Sequence, residues 1–257
     1  MPGLTEEILT TLQQFSACDV SDALLKLERA PKDTPANAGF LADLDTLANP
    51  HNNFTIKVPF TPFPATAQET TPPKIIAPIS TIQFIPKDQS LPQIAQEEPD
   101  QYGFPQGTHW VDHVQRDTIV LLDQPAGQKC AVLGGIMAAR MGVIGTKGVI
   151  VNGRVRDIAE LRASGLPIWA RGQSTVGTSA EAKPGARNVV ITVGRVTVSP
   201  GDIAFCDPLE GVVVIPQNLL DEVLVLMPKL VEADDRVRED VLRGSTVFDA
   251  FKKHRET

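Results

Sequence analysis

The chain has 257 residues, 42% hydrophobic and 21% charged, with a formal net charge of −7. That length and apolar content suffice for a full core, as one large domain or a domain with an arm. The acidic balance argues against nucleic acid or an anionic membrane as the main partner, although a small anion can still find a locally basic pocket.

The cysteines Cys18, Cys130 and Cys206 are three in number, widely spaced, and form neither a zinc pattern nor a disulfide framework. A reducing, cytoplasmic compartment is the expectation. The opening residues lack the layout of a signal peptide, and no apolar run approaches the roughly 20 residues needed to cross a bilayer.

Residues 5–29 read as helical. Leu4-Thr5-Glu6-Glu7 supplies a cap with acids in the first turn, and Ile8, Leu9, Leu12 and Phe15 recur at helical spacing. Ser16 to Asp19 reads as a break, with a second short helix from Val20 capped by Ser21 or Asp22. Residues 31–105 hold 13 of the 21 prolines, which disfavours long helices and central strands. Within them Lys74 to Phe84 reads as a strand interrupted at Pro78, and the remainder, including Pro59 to Pro64 and Gln89 to Pro105, as an extended excursion or a lid.

From Thr108 the pattern becomes regular α/β. Strands are expected at Thr118 to Leu122, Lys129 to Leu133, Gly148 to Val151, Leu166 to Ala170, Val189 to Val193, Arg195 to Val198, Ile203 to Cys206 and Val212 to Ile215. Residues 136–141 form a helix. Residues 217–243 form an amphipathic helix or helix pair kinked near Pro228, and a polar tail ends the chain.

The chemistry concentrates at two turns. Lys129 to Leu133 and Gly148 to Val151, as parallel strands joined by the 136–141 helix, would end at the same sheet edge. Gly134-Gly135 and the Asn152 to Asp157 turn then face one another across a crevice, where ligands of open α/β sheets bind. The free backbone N–H groups from Gly134 to Met137, at a helix N-terminus, suit a carboxylate or phosphate. The stretch is neither a full dinucleotide fingerprint nor a P-loop.

Arg156 can polarise a carbonyl or enolate oxygen, and Asp157 can hold a hard divalent cation whose other positions are filled by water. Equally, Asp157 can cap the helix Ile158 to Ala163 while Arg156 makes a surface ion pair. Glu160 and Arg162 can be solvated helix residues. The four histidines add little: His109 and His113 flank Trp110 without a neighbouring acid in a zincin arrangement, and His51 and His254 fall in loop and tail.

The stretch GGIMAARMGVIGTKGVIVNGRVRD, with GLPIWARG and SPGDIAFCDPLEGVVVIP, resembles the RraA-like family over roughly residues 108–245. CDVSDALLKL and KIIAPISTIQF echo it more weakly. That family includes hydroxy-methyl-oxoglutarate aldolases, oxaloacetate decarboxylases and a ribonuclease E regulator. The resemblance implies one RraA-like domain over 1–257, an α/β/β/α sandwich with an N-terminal helical segment and the Pro-rich insertion. It further implies homotrimers or hexamers with sites between subunits.

By motif, Asp157 would be the direct ligand of Mg²⁺ or Mn²⁺, and Arg156 would bond the keto or enolate oxygen of a 2-oxo acid. The amides of Gly134, Ile136 and Met137, with Gly135 beside them, would hold its carboxylate. An acid from a neighbouring subunit would assist through water, with Glu210 and Glu232 as candidates. One departure stands out. The family's aldolases carry an Asp, acting with water as base, with twenty residues intervening before the Arg-Asp pair, and this chain has Gly135 there. Retro-aldol cleavage must remove a hydroxyl proton whereas decarboxylation need not, so the resemblance favours oxaloacetate decarboxylation. Retro-aldol cleavage of a 4-hydroxy-4-methyl-2-oxoglutarate-type substrate is the alternative, and a non-catalytic protein-binding regulator is another.

Overall fold

A computed structural model describes residues 4–27, 37–48, 73–91 and 100–255. The elements in chain order are α1 (Glu6–Leu12), α2 (Ala17–Leu27), β1 (Asp45–Ala48), β2 (Ile75–Pro86), β3 (Ile119–Asp123), α3 (Gly135–Ile144), β4 (Gly148–Val155), α4 (Ile158–Ala163), β5 (Ile168–Gln173), β6 (Ala182–Arg187), β7 (Ile191–Val193), β8 (Val196–Val198), β9 (Ile203–Asp207), β10 (Gly211–Ile215), α5 (Leu220–Leu242) and α6 (Val247–His254). The main sheet runs β1-β5-β4-β3-β2-β9-β10, with β6 paired to β2 and β7–β8 forming a separate hairpin.

The strand β2 joins two halves of this mixed sheet. Its first residues, Ile75 to Pro78, pair antiparallel with β9, and Ile79 to Gln83 then pair parallel with β3. Its last residues, from Ile82, pair antiparallel with β6. Sequence reading places an interruption at Pro78, but the strand continues, and Pro78 lies where one partner gives way to the next. A residue without an N–H is tolerated at such a changeover.

Alternating side chains sort this curved, nearly closed sheet into layers. Val120, Leu122, Val149, Val151 and Ala170 face α3 and α4 through Ala138, Met141 and Leu161. Ile119, Leu121, Ile150 and Trp169 point the other way, into an interior shared with Ala204, Cys206, Val212 and Val214. Ile203, Phe205, Val213 and Ile215 face outward again, against α1, α2 and α5. The result is the α/β/β/α arrangement expected from the resemblance.

Several local expectations are corrected. Lys129 to Leu133 is not a strand: it makes a single parallel bridge, Leu133 with Val155, and β3 is the true neighbour of β4. The strand β4 does not stop at Asn152-Gly153. It runs to Val155, with a register irregularity against β5 between Val151 and Arg154. The N-terminal break falls at Gln13 to Ser16 rather than Ser16 to Asp19. There the Asp19 carboxylate accepts the Ser16 N–H and the Ser16 hydroxyl accepts the Asp19 N–H, a reciprocal cap that displaces Ser21 and Asp22 from the role.

Residues 217–243 contain a 3₁₀ turn, Gln217–Leu219, leading into a single α-helix, α5, with Pro228 inside it. The tail is helical: Thr246 accepts the Asp249 N–H to cap α6. Residues 31–36, 49–72 and 92–99 of the Pro-rich excursion, including Pro59 to Pro64 and His51, lie outside the described residues, and the part described contributes β1 and β2.

Candidate functional site

Two backbone hydrogen bonds bring the chemical turns together. The Val132 N–H donates to the Arg154 carbonyl at 2.9 Å, and the Arg156 N–H donates to the Leu133 carbonyl at 3.0 Å. The chain therefore leaves Leu133 and Val155 side by side, with α3 starting from one end and α4 from the other. The expected convergence holds even though Lys129 to Leu133 is not a strand.

Gly134 caps α3 in an extended conformation, without a side-chain cap bond. The amides of the first turn of a helix have no partners within it and carry the positive end of its dipole. A Cβ on Gly134 would stand 2.7 Å from Asp157 Oδ2, so glycine is needed for that approach.

Asp157 adopts the left-handed conformation, φ 58°, which Asp tolerates better than most residues. Its side chain makes no cap bond to α4. Instead Oδ2 accepts the Gly135 N–H at 3.3 Å and lies 3.3 Å from Arg156 Nε. The helix-cap reading of Asp157 thus fails, while the ion-pair reading of Arg156 holds, with Asp157 itself as partner. Both side chains keep access to solvent, 44% for Arg156 and 35% for Asp157.

These residues line a cavity of about 590 Å³. Gly134, Ile136, Met137, Arg156 and Asp157 form one side. Gly135 lies behind them, entering through its N–H bond to Asp157. Sequence reasoning did not anticipate the opposite wall, where Phe104, His109, Trp110, Thr178, Ser179 and Lys183 stand. Lys183 belongs to β6, a strand whose AKPGAR sequence gives no strand signal. His109 Nδ1 accepts the Val111 N–H, and His113 Nε2 shares a hydrogen bond with Thr108.

Glu160 is the other unanticipated group. Its Cβ and carboxyl oxygen fill the place where a side chain at 135 would begin, and its Cδ would lie 2.8 Å from a Cβ there. The space of a side chain at the position lacking the aldolases' Asp is therefore taken by Glu160 of α4, an exposed residue that adjoins the cavity through Gly135 without lining it. Glu210 and Glu232 do not reach the cavity of their own chain. Glu210 accepts the Cys18 N–H, and Glu232 pairs with Arg236 one helical turn away.

Among the described residues no group of three or more His, Cys, Asp or Glu could hold a metal ion. A thiolate ligand or nucleophile is also disfavoured. Burial pushes the Cys130 and Cys206 thiols up, and burial followed by the Glu210 hydrogen bond takes Cys18 to about 11. One accessible carboxylate beside a cavity fits a hydrated hard cation such as Mg²⁺, which keeps several waters and needs only one or two carboxylates. It does not fit a soft or fully protein-ligated metal.

A mixed α/β protein with a glycine-capped helix start and an Arg–Asp pair at one sheet edge is the class that fold and site define. The sequence matches the RraA-like family (Aldolase/RraA) over residues 17–214, and the chain belongs to that family. An uncharacterised protein from Pseudomonas syringae pv. tomato shares the fold, with a TM-score of 0.66, 21% identity, and 97% and 99% of the two chains covered. Streptomyces coelicolor RraAS2, described as an unusual member of the RNase ES inhibitor RraA family, gives a TM-score of 0.62 at 20% identity, covering 95% and 100%.

Among relatives by sequence, protein DlpA of Legionella pneumophila is 27% identical over 180 residues, which is 69% of this chain and 27% of that one. A Halalkalibacterium halodurans protein named "Putative 4-hydroxy-4-methyl-2-oxoglutarate aldolase" is 33% identical over 129 residues, 50% of this chain and 60% of that one. The matched stretches thus span less than two thirds of these relatives. Among the described residues no helix is long and apolar enough to cross a membrane.

Proposed function

We propose that the protein is a divalent-metal-dependent carbon–carbon lyase acting on short 2-oxo diacids through a pyruvate enolate, with oxaloacetate decarboxylation as its main reaction. The observation that carries this reading is the convergence of the α3 N-terminus, Arg156 and Asp157 on one cavity. Each supplies what the reaction needs. The amides of Gly134, Ile136 and Met137 receive the carboxylate next to the keto group. The Arg156 guanidinium faces the keto oxygen, where negative charge grows as the carbon–carbon bond breaks. Asp157 would hold Mg²⁺ or Mn²⁺, which when bound supplies Lewis-acid stabilisation of the same oxygen.

Decarboxylation sends the electron pair of the breaking bond into the keto group as CO₂ departs, and solvent then protonates the enolate carbon. No side chain has to remove a proton beforehand.

Retro-aldol cleavage is the second reading, and Glu160 is the observation that favours it. A carboxylate at this place can take the hydroxyl proton that a base must remove. Assembly as a homotrimer or hexamer, with sites completed between subunits, belongs to the same proposal. Ile136, which lines the cavity, and Val143, two turns further along α3, are 76% and 72% exposed, apolar surface of the kind that association covers.

The test is pyruvate release from oxaloacetate by the purified protein with Mg²⁺ or Mn²⁺. Release above the free-metal rate, lost in Arg156→Ala, is the expected result. No excess release, or equal activity in the variant, overturns the proposal and leaves a protein-binding role.

A further inference from the structure

A second cavity, of about 520 Å³, shares no lining residue with the first. Its floor follows from strand register. Asp123 is paired with Asn152 across β3 and β4, and Val151 with Ala170 across β4 and β5, which brings Arg171 next to Asn152. By alternation Asp123, Asn152 and Arg171 continue the Leu121, Ile150 and Trp169 rows, which point into the sheet interior. The three therefore form a polar ladder at the mouth of the apolar barrel interior.

The ladder is hydrogen-bonded throughout: Asn152 Nδ2 donates to Asp123 at 2.7 Å, and Arg171 Nε donates to Asn152 Oδ1. Thr192 and Gly194 of the β7–β8 hairpin, the loop of residues 124–128 and Gly153 also line the cavity, with Arg154 and Lys129 bringing two further cations. Asp43, 3.6 Å from Arg171, and Glu181, beside Lys129, approach these cations without lining the cavity. Burial raises the pKa of Asp123, against the lowering effect of its Asn152 and Gln83 hydrogen bonds.

We propose that this barrel mouth is a second ligand site, taking a small anion that carries a hydroxyl group beside its carboxylate or phosphate. Arg171, Arg154 and Lys129 face the anionic group, and the Asp123 carboxylate accepts the hydroxyl. Mouths of barrels, with an apolar wall and a few converging polar groups, are preferred positions for small ligands, and the volume lies in their usual range. Arg154 Nη1 also donates to the Gln173 carbonyl of β5 at 3.0 Å, but a ladder that served only to tie the strands together would need neither Lys129 nor an open cavity over it.

The experiment is calorimetric titration of Arg156→Ala, free of divalent metal, so that the first cavity is disabled and failure of the lyase reading does not affect the outcome. The probes are glycerate, glycerol 3-phosphate and, as the hydroxyl-free control, propionate. Saturable binding of glycerate or glycerol 3-phosphate is expected, about tenfold or more tighter than propionate, and whichever binds tighter identifies the anionic group. Adding Arg171→Gln should abolish it, and adding Asp123→Asn should remove the preference over propionate. Lys129→Gln, an exposed change with little bearing on folding, should weaken binding severalfold. Absence of saturable binding to Arg156→Ala, or equal binding with Arg171→Gln and Lys129→Gln added, overturns the proposal.

Discussion

Glu160 occupies the volume that a side chain on Gly135 would require: its Cδ would lie 2.8 Å from a Cβ at 135, and its Cβ and carboxyl oxygen would lie closer still. The two positions cannot both carry a side chain in this arrangement. Gly135→Asp, which restores the aldolases' residue, should therefore destabilise the protein by about 1–3 kcal/mol through overpacking. Gly135→Asp combined with Glu160→Ala should recover most of that loss. Thermal denaturation of the three proteins checks this, and an unchanged melting temperature in the single variant would show that Glu160 swings aside freely.

The same juxtaposition separates the two candidate reactions. If Glu160 serves as the base for retro-aldol cleavage, Glu160→Gln should lower kcat for a 4-hydroxy-4-methyl-2-oxoglutarate-type substrate by roughly 10²–10⁴. Oxaloacetate decarboxylation, which needs no such proton removal, should change severalfold at most. Parallel losses on both substrates would assign Glu160 to positioning Gly135 and Asp157 instead.

Arg156 and Asp157 should fail in different ways. Arg156→Ala should cost on the order of 10²–10³ in kcat, as expected for losing a donor to developing oxyanion charge. It should leave any stabilisation by Mg²⁺ intact. Asp157→Asn preserves the size and the tolerance of the left-handed conformation, so the fold should survive. Its melting temperature should no longer rise with Mg²⁺ or Mn²⁺, whereas that of the wild type should rise with metal concentration as binding selects the native state. A wild-type protein indifferent to both metals and to chelator would remove Asp157 from the role of ligand.

How far the sequence reached depended on whether the signal was local. Gly134-Gly135 and Arg156-Asp157 could be read as a facing pair because a β-branched run and a short helix separate them. That pairing survives although Lys129 to Leu133 is not a strand, since one bridge between Leu133 and Val155 does the same work. β6 was invisible: AKPGAR contains Pro184 and Gly185 and becomes a strand only by pairing with the far end of β2. Lys183 on the cavity wall was missed for that reason. Glu160 looked like a solvated helix residue, and only three-dimensional proximity to Gly135 distinguishes it. The roles of Ser16 and Asp19 were missed because a cap depends on where the chain turns, which the apolar spacing around Val20 did not reveal.

The C-terminal helix is tied to α5 through Asp240. Asp240 on α5 accepts hydrogen bonds from Lys253 and His254 on α6, at 2.8 Å each. The Lys253 bond, then the His254 bond, hold its carboxyl down to about 2 from an ordinary value of 3.8. Because the folded value lies below the unfolded one, the stabilisation is fully present above about pH 4 and is lost as pH falls toward 2. Asp240→Asn removes the titrating charge. The melting temperature of wild type should therefore exceed that of the variant at pH 5, and the gap should close between pH 4 and 2. A gap constant across that range would mean that apolar contacts, rather than the Asp240 charge, hold α6 in place.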